Sequence, residues 1–266
     1  MSARGAGAAG RARGFGRARR ALAPIAVVLF LLAVWELLVR VGVVDELLLP
    51  APTQIAQSLW EDRGLLAPDL LVTTWEVVVG LAAALALGAG LAVAMHLVPA
   101  VERALRPLVV GSQAVPIPLI APLIVFVLGF GLAPKIVIVA LICFFPVVVN
   151  LADGLRDSDP DARKLLRSLD ATPWQRLRLL DAPSALPAGF TGMKVAAAVA
   201  LIGAVFAEWA GSNSGLGHLV IVANGQLESA RAFAATVLLI AEAVLLYAAF
   251  AALERRVVSW APRKRS

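Results

Sequence analysis

The acid most out of place in this sequence is Glu242, near the middle of the apolar run 232–253. A carboxylate inside hydrocarbon is costly, so it pairs, faces a cavity or holds its proton. An acid so placed can carry protons, which makes a proton-coupled secondary transporter one reading of the chain. Glu208 ends a second apolar run, 188–210. It continues the series Ala188, Gly192, Ala196, Ala200 and Ala204, small residues at the four-residue spacing that lets helix backbones approach closely in lipid. Ala82, Ala86, Gly90 and Ala94 form a similar stripe. Ser112 and Gln113 stand just before Pro116 and Pro118 in a third apolar run. A polar pair beside helix-breaking prolines can line a path at a broken helix. Asn150 and Lys194 lie near run ends, where a lysine can snorkel.

Other chemistry is excluded by what the sequence lacks. Lys135, Lys164, Lys194 and Lys264 have no glycine before them, so no Gly-x-x-x-x-Gly-Lys loop cradles a phosphate. Cys143 is alone, which forbids an intrachain disulfide and a multi-cysteine metal site. His96 has no second ligand nearby in sequence. No His, Asp and Glu fall on one helix face as a cluster. The expectation is a non-catalytic chain without metal or cofactor.

The elements that must position these residues follow from composition. Of 266 residues, 60% are hydrophobic and 16% charged, and the mean hydropathy is +0.85. Soluble domains carry about 25% charged residues. The class is therefore an all-α, polytopic membrane protein. Apolar runs at 21–41, 77–98, 108–129, 133–152, 188–210 and 232–253 suggest about six transmembrane helices. Residues 42–76 are mixed and predict short interfacial helices. The domain reading is a disordered basic tail (1–20), a transmembrane domain (21–255) and a second basic tail (256–266).

Placing 24 Lys and Arg on this scheme puts 19 on the side of both termini, 3 (Arg63, Lys135, Arg231) on the other, and Arg40 and Lys194 at span ends. That asymmetry orients the chain with both termini cytoplasmic. The net charge of +6 thus records insertion and not nucleic-acid binding. Trp75 and Trp209 fall at the outer interface and Trp260 at the inner one.

The longest polar connection, 153–187, lies on the cytoplasmic side. Asp159-Pro160 reads as an N-cap with proline at the first helical position. Thr172-Pro173-Trp174-Gln175 repeats the device with Gln175 completing a capping box. A two-helix element results, with Leu165, Leu166 and Leu169 on the first helix and Trp174, Leu177, Leu179 and Leu180 on the second. Three readings of its shape stand at this point: a loop packed on its own bundle, a DNA-binding helix–turn–helix, and a docking element for a cytosolic partner.

This stretch resembles the cytoplasmic loop of permeases of bacterial ABC importers, whose motif is Glu-Ala-Ala, three residues, Gly, then a closing proline. Aligned on Pro183, the motif's first residues are Lys164-Leu165-Leu166 and its glycine is Asp170, so these key positions depart from the pattern. Aspartate tolerates the left-handed backbone that the glycine supplies. Pro116-Ile117-Pro118-Leu119-Ile120-Ala121-Pro122-Leu123 through Gly129-Phe130-Gly131 resembles the third-helix signature of the sulfonate/nitrate/taurine type. There Val127-Leu128 replaces the family's Trp-Phe. Ala207-Glu208-Trp209-Ala210-Gly211 with Gly215-Leu216-Gly217 resembles that family's fifth-helix end. The loop is most similar to permeases for thiamine pyrimidine precursors.

The resemblance implies a type I importer permease in the bacterial inner membrane. It implies a second permease subunit as a homodimer, two cytosolic ATP-binding subunits and an extracytoplasmic solute-binding protein, with ATP hydrolysis on the partner chain. Asp161, Lys164, Leu165, Leu166, Leu169, Asp170, Trp174 and Pro183 become the expected ATPase-coupling residues. Ser112, Gln113, Glu208 and Glu242 become pathway candidates, with the fifth helix lining the subunit interface.

Overall fold

The computed structural model describes residues 26–260, all of whose regular structure is helical. The basic tail 1–20 and the end of the C-terminal tail lie outside the described residues. The helices are α1 (26–40), α2 (Pro52–Glu61), α3 (Arg63–Leu97), α4 (Pro99–Gly111), α5 (Ile117–Leu128), α6 (Leu132–Arg156), α7 (Pro160–Ser168), α8 (Pro173–Arg176), α9 (Ala182–Gly211), α10 (Leu216–Gly225) and α11 (Ser229–Val257). Four stretches are long and apolar enough to cross a membrane: α3, α6, Pro173–Gly211 and α11. A bent pair, Pro99–Ala114 with Ile117–Leu128, makes a fifth. The expected first span begins before residue 26, and its described part is helical.

The run 108–129, expected as one span, is not a single helix. α4 tightens into a 3₁₀ turn at Ser112–Ala114, and α5 leaves at 102° to it. Pro116 and Pro118 explain the break, because neither can donate to the preceding turn and their rings clash with it. α3, by contrast, runs for 35 residues and absorbs part of the stretch expected as short interfacial helices.

The chain forms two compact units. The first comprises the residues up to Asp62 with Ala223–Ala234, and the second comprises Arg63–Val222 with the residues from Ala235. In the first, Glu36 accepts from Arg40 Nε at 2.6 Å and from Thr53 Oγ1 at 2.7 Å, and Arg231 Nη2 donates to Asp62 at 2.9 Å.

The second unit carries every candidate site residue. Its centre is α3, α6 and α9, packed through small residues. A Cβ added to Gly80 would lie 2.6 Å from the Val139 Cβ, and one added to Gly192 would lie 2.6 Å from the Pro146 carbonyl. Such backbone approach is how apolar helices associate where no hydrophobic effect drives them. The four-residue stripe of α9 is spent here: Gly192, Ala196, Ala200 and Ala204 are buried, and Ala196 accepts from Cys143 of α6. These stripe residues thus serve packing within the chain. The α3 stripe behaves differently, with Ala82, Ala86 and Gly90 exposed.

Candidate functional site

The 153–187 loop folds into two short helices whose ends are locked by local chemistry. The Asp159 side chain accepts from the amides of Asp161 and Ala162 at the start of α7. Thr172 and Gln175 exchange backbone-to-side-chain bonds of 2.7 and 3.2 Å at the start of α8, the capping box expected from sequence. α7 ends on Asp170, which has φ +54°. Its amide bonds to the Arg167 carbonyl, and that of Ala171 reaches back to Leu166. These paired bonds are the glycine-type helix stop, here carried by aspartate.

The loop divides its apolar residues between two tasks. Leu177 is buried with Ala92, Ala152, Leu155 and Ala185. Leu165, Leu169 and Trp174 are 60–68% exposed and so face away from the bundle, while Leu166 and Pro183 are half-buried. Asp161 and Lys164 form an exposed 3.0 Å pair, of the kind that contributes little to stability. Pro183 lacks the N–H owed to Leu179, and the chain widens before it into a π turn, Leu177–Asp181, that joins α8 to α9.

At that joint sits a group the sequence reading passed over. Asp181 is 3% exposed. It accepts from Ser158 Oγ at 2.5 Å and from Arg163 Nη2 at 3.0 Å, and it contacts His96 Nε2 at 2.9 Å. One carboxylate thus ties the end of α3, the α6–α7 connection and α7 to the foot of α9. His96, without a ligand neighbour in sequence, has its partner 85 positions away.

The helix break builds a second feature. Ser112, Gln113, Pro116 and Pro118 line a cleft of about 320 Å³ with Ile142 of α6 and Phe206 of α9. Ser112 donates to the Val109 carbonyl at 2.7 Å, and the Gln113 side chain is exposed.

Glu208 and Glu242 do not line that cleft. Glu208 is 1% exposed. It accepts from Thr73 Oγ1 at 2.7 Å and from the His218 amide at 3.0 Å. Asp69 and Thr73 take the Gly215 and Leu216 amides, each at 2.8 Å. Three side chains from two other helices thus cap the start of α10, a natural anion seat. Gly215 has φ +107°, and a Cβ there would overlap the Glu208 carboxyl group. Beside this cap, buried Lys135 donates to Glu76 at 2.5 Å and to Ser212 at 2.6 Å. Glu242 is 7% exposed, and among the described residues no well-formed hydrogen bond reaches its carboxyl oxygens. Thr74, which faces it, is engaged on the Leu70 carbonyl.

Residues 84–259 match the family model described as binding-protein-dependent transport system inner membrane component. The chain is 36% identical to a protein of Haemophilus influenzae named as an ABC transporter permease, across 86% of this chain and 93% of that one. It is 34% identical to a formylaminopyrimidine transport permease of Halalkalibacterium halodurans, across 92% and 98%. It is 32% identical to a riboflavin transport system permease of Chloroflexus aurantiacus, across 89% of each.

Proposed function

Because the chain belongs to the family of binding-protein-dependent transport system inner membrane components, we propose that it is the pore-forming half of an ATP-driven importer. Two copies make the pore, and both termini face the cytosol. The α7–α8 element docks one of two cytosolic ATP-binding subunits, with Leu165, Leu169 and Trp174 in the contact. The exposed Asp161–Lys164 pair joins that contact, while Leu166, Asp170 and Pro183 hold the element's shape. A solute-binding protein delivers the cargo from outside, and the solute crosses beside Ser112 and Gln113. The cargo is a thiamine pyrimidine precursor, with a sulfonate, taurine or nitrate as second choice.

The observation that supports this reading best is the exposed apolar strip on a doubly capped helix pair, itself anchored to α9 through Asp181. A lever has to be stiff and tied at its base, and closure of an ATPase dimer under it biases which way the bundle opens. The test is uptake by the reconstituted complex carrying an ATPase subunit unable to hydrolyse ATP. Uptake falls to background under this reading. Uptake that survives, and is lost instead in Glu242→Gln, identifies a proton-driven carrier.

A further inference from the structure

Among the described residues, the lining of the cleft at the α4–α5 break holds no charged side chain. The buried cation of the second unit, Lys135, is committed to Glu76 and Ser212, and Lys194 is committed to Glu254 at 2.8 Å. An anion entering the cleft would lose water and meet no charged side chain, and the start of α5 at Ile117, with proline on either side, offsets only a small part of that cost.

The polar groups present favour a different solute. The Ser112 hydroxyl hydrogen is spent on Val109, which leaves the oxygen as an acceptor. Pro122 has no N–H to return to the Pro118 carbonyl, four residues earlier, so that carbonyl lacks its helical donor. Both groups seek N–H or O–H donors, whereas sulfonate and nitrate offer oxygen acceptors. The Gln113 amide supplies a donor and an acceptor side by side. It can pair bidentately with a ring nitrogen beside an exocyclic amine, as glutamine does with adenine. Phe206 adds a ring face that Trp209 fixes edge-on at 5.6 Å between centroids. Flat heterocycles stack on such faces. The cleft volume of about 320 Å³ lies at the small end for small-molecule sites.

We infer that this cleft is a translocation subsite for uncharged, flat nitrogen heterocycles, with Gln113 reading the ring edge and Phe206 supporting the ring face, and that it rejects anions. The inference rests on the importer reading and adds to it a selection step within the membrane chain itself.

The experiment uses the complex with its ATPase and solute-binding protein in proteoliposomes, with a labelled 4-aminopyrimidine and labelled ethanesulfonate, a simple anion, as probes. ATP-dependent uptake of the aminopyrimidine and not of ethanesulfonate is expected. Gln113→Leu lowers that uptake about tenfold, the scale of one lost hydrogen-bonded pair, and Phe206→Ala lowers it by a similar factor. Co-purification with the ATPase verifies that each variant has folded. ATP-dependent uptake of ethanesulfonate, alone or beside the aminopyrimidine, overturns the inference and leaves the importer reading intact. Aminopyrimidine uptake that persists with an inactive ATPase overturns the importer reading, and the inference with it. Uptake of neither probe, or wild-type aminopyrimidine uptake by an assembled Gln113→Leu complex, also overturns the inference.

Discussion

Arg163 on α7 places its Nη2 3.0 Å from Oδ1 of Asp181 at the foot of α9, so a charge pair joins the protruding loop to the helix at the centre of the bundle. Replacing Asp181 with alanine leaves Arg163 and Ser158 without their shared acceptor. Arg163 remains partly exposed, which limits the loss to about 2 kcal/mol. We expect a lower melting temperature for Asp181→Ala and more ATP hydrolysed per solute imported. Asp181→Asn keeps an acceptor for Ser158 and falls between that variant and wild type.

The double substitution Leu165→Glu and Leu169→Glu changes residues whose side chains are already in solvent. Its expected effect is loss of the ATPase from the purified complex at an unchanged melting temperature. Retained co-purification and coupled uptake would refute the docking role.

Asp170 adopts φ +54°, a conformation that costs non-glycine residues about 1 kcal/mol and β-branched ones more. Asp170→Gly is therefore neutral or slightly stabilising, whereas Asp170→Val destabilises by about 1–2 kcal/mol. Hydrogen exchange of the α7 amides distinguishes the two.

Gly215→Ala forces a Cβ into the Glu208 carboxyl group at a positive φ. A loss of about 3 kcal/mol or more is expected in thermal unfolding. Adding Glu208→Ala removes the overlap, so the double variant loses less than the sum of the single changes.

In the first unit, burial raises the Asp62 carboxyl, but hydrogen bonds from Arg231 and Ser58 and the Arg231 charge outweigh it. The net shift is below the ordinary value of 3.8. A depressed folded value means that this contribution to stability is fully present above pH 3.8 and disappears as pH falls through the lower folded value. Acid titration of α2 hydrogen exchange tests this, and Asp62→Ala abolishes the step.

Much of the docking loop is legible in the sequence because its instructions are local. Asp159, Thr172 and Gln175 act on amides two or three residues away, and Asp170 acts on its own backbone. The bend is half legible. Pro116 and Pro118 announce a break, but the 102° angle belongs to the packing of α4 and α5 against the rest of the unit. The Asp181 cluster is not legible, since His96 reaches it across 85 positions and nothing periodic links them. α10 escapes notice for a related reason. It is ten residues long, and its capping side chains lie on other helices.

That borrowed cap imposes a timetable on synthesis. The Gly215 and Leu216 amides leave the ribosome 146 and 143 residues after Asp69 and Thr73. The two earlier side chains must stay available while most of the chain is still being made, and no translated fragment ending before α10 can close this end of the unit. Contacts of such long sequence separation form late. The finished seat of Glu208 therefore marks a chain made and inserted as far as α10, a mark that a chain ending earlier cannot acquire.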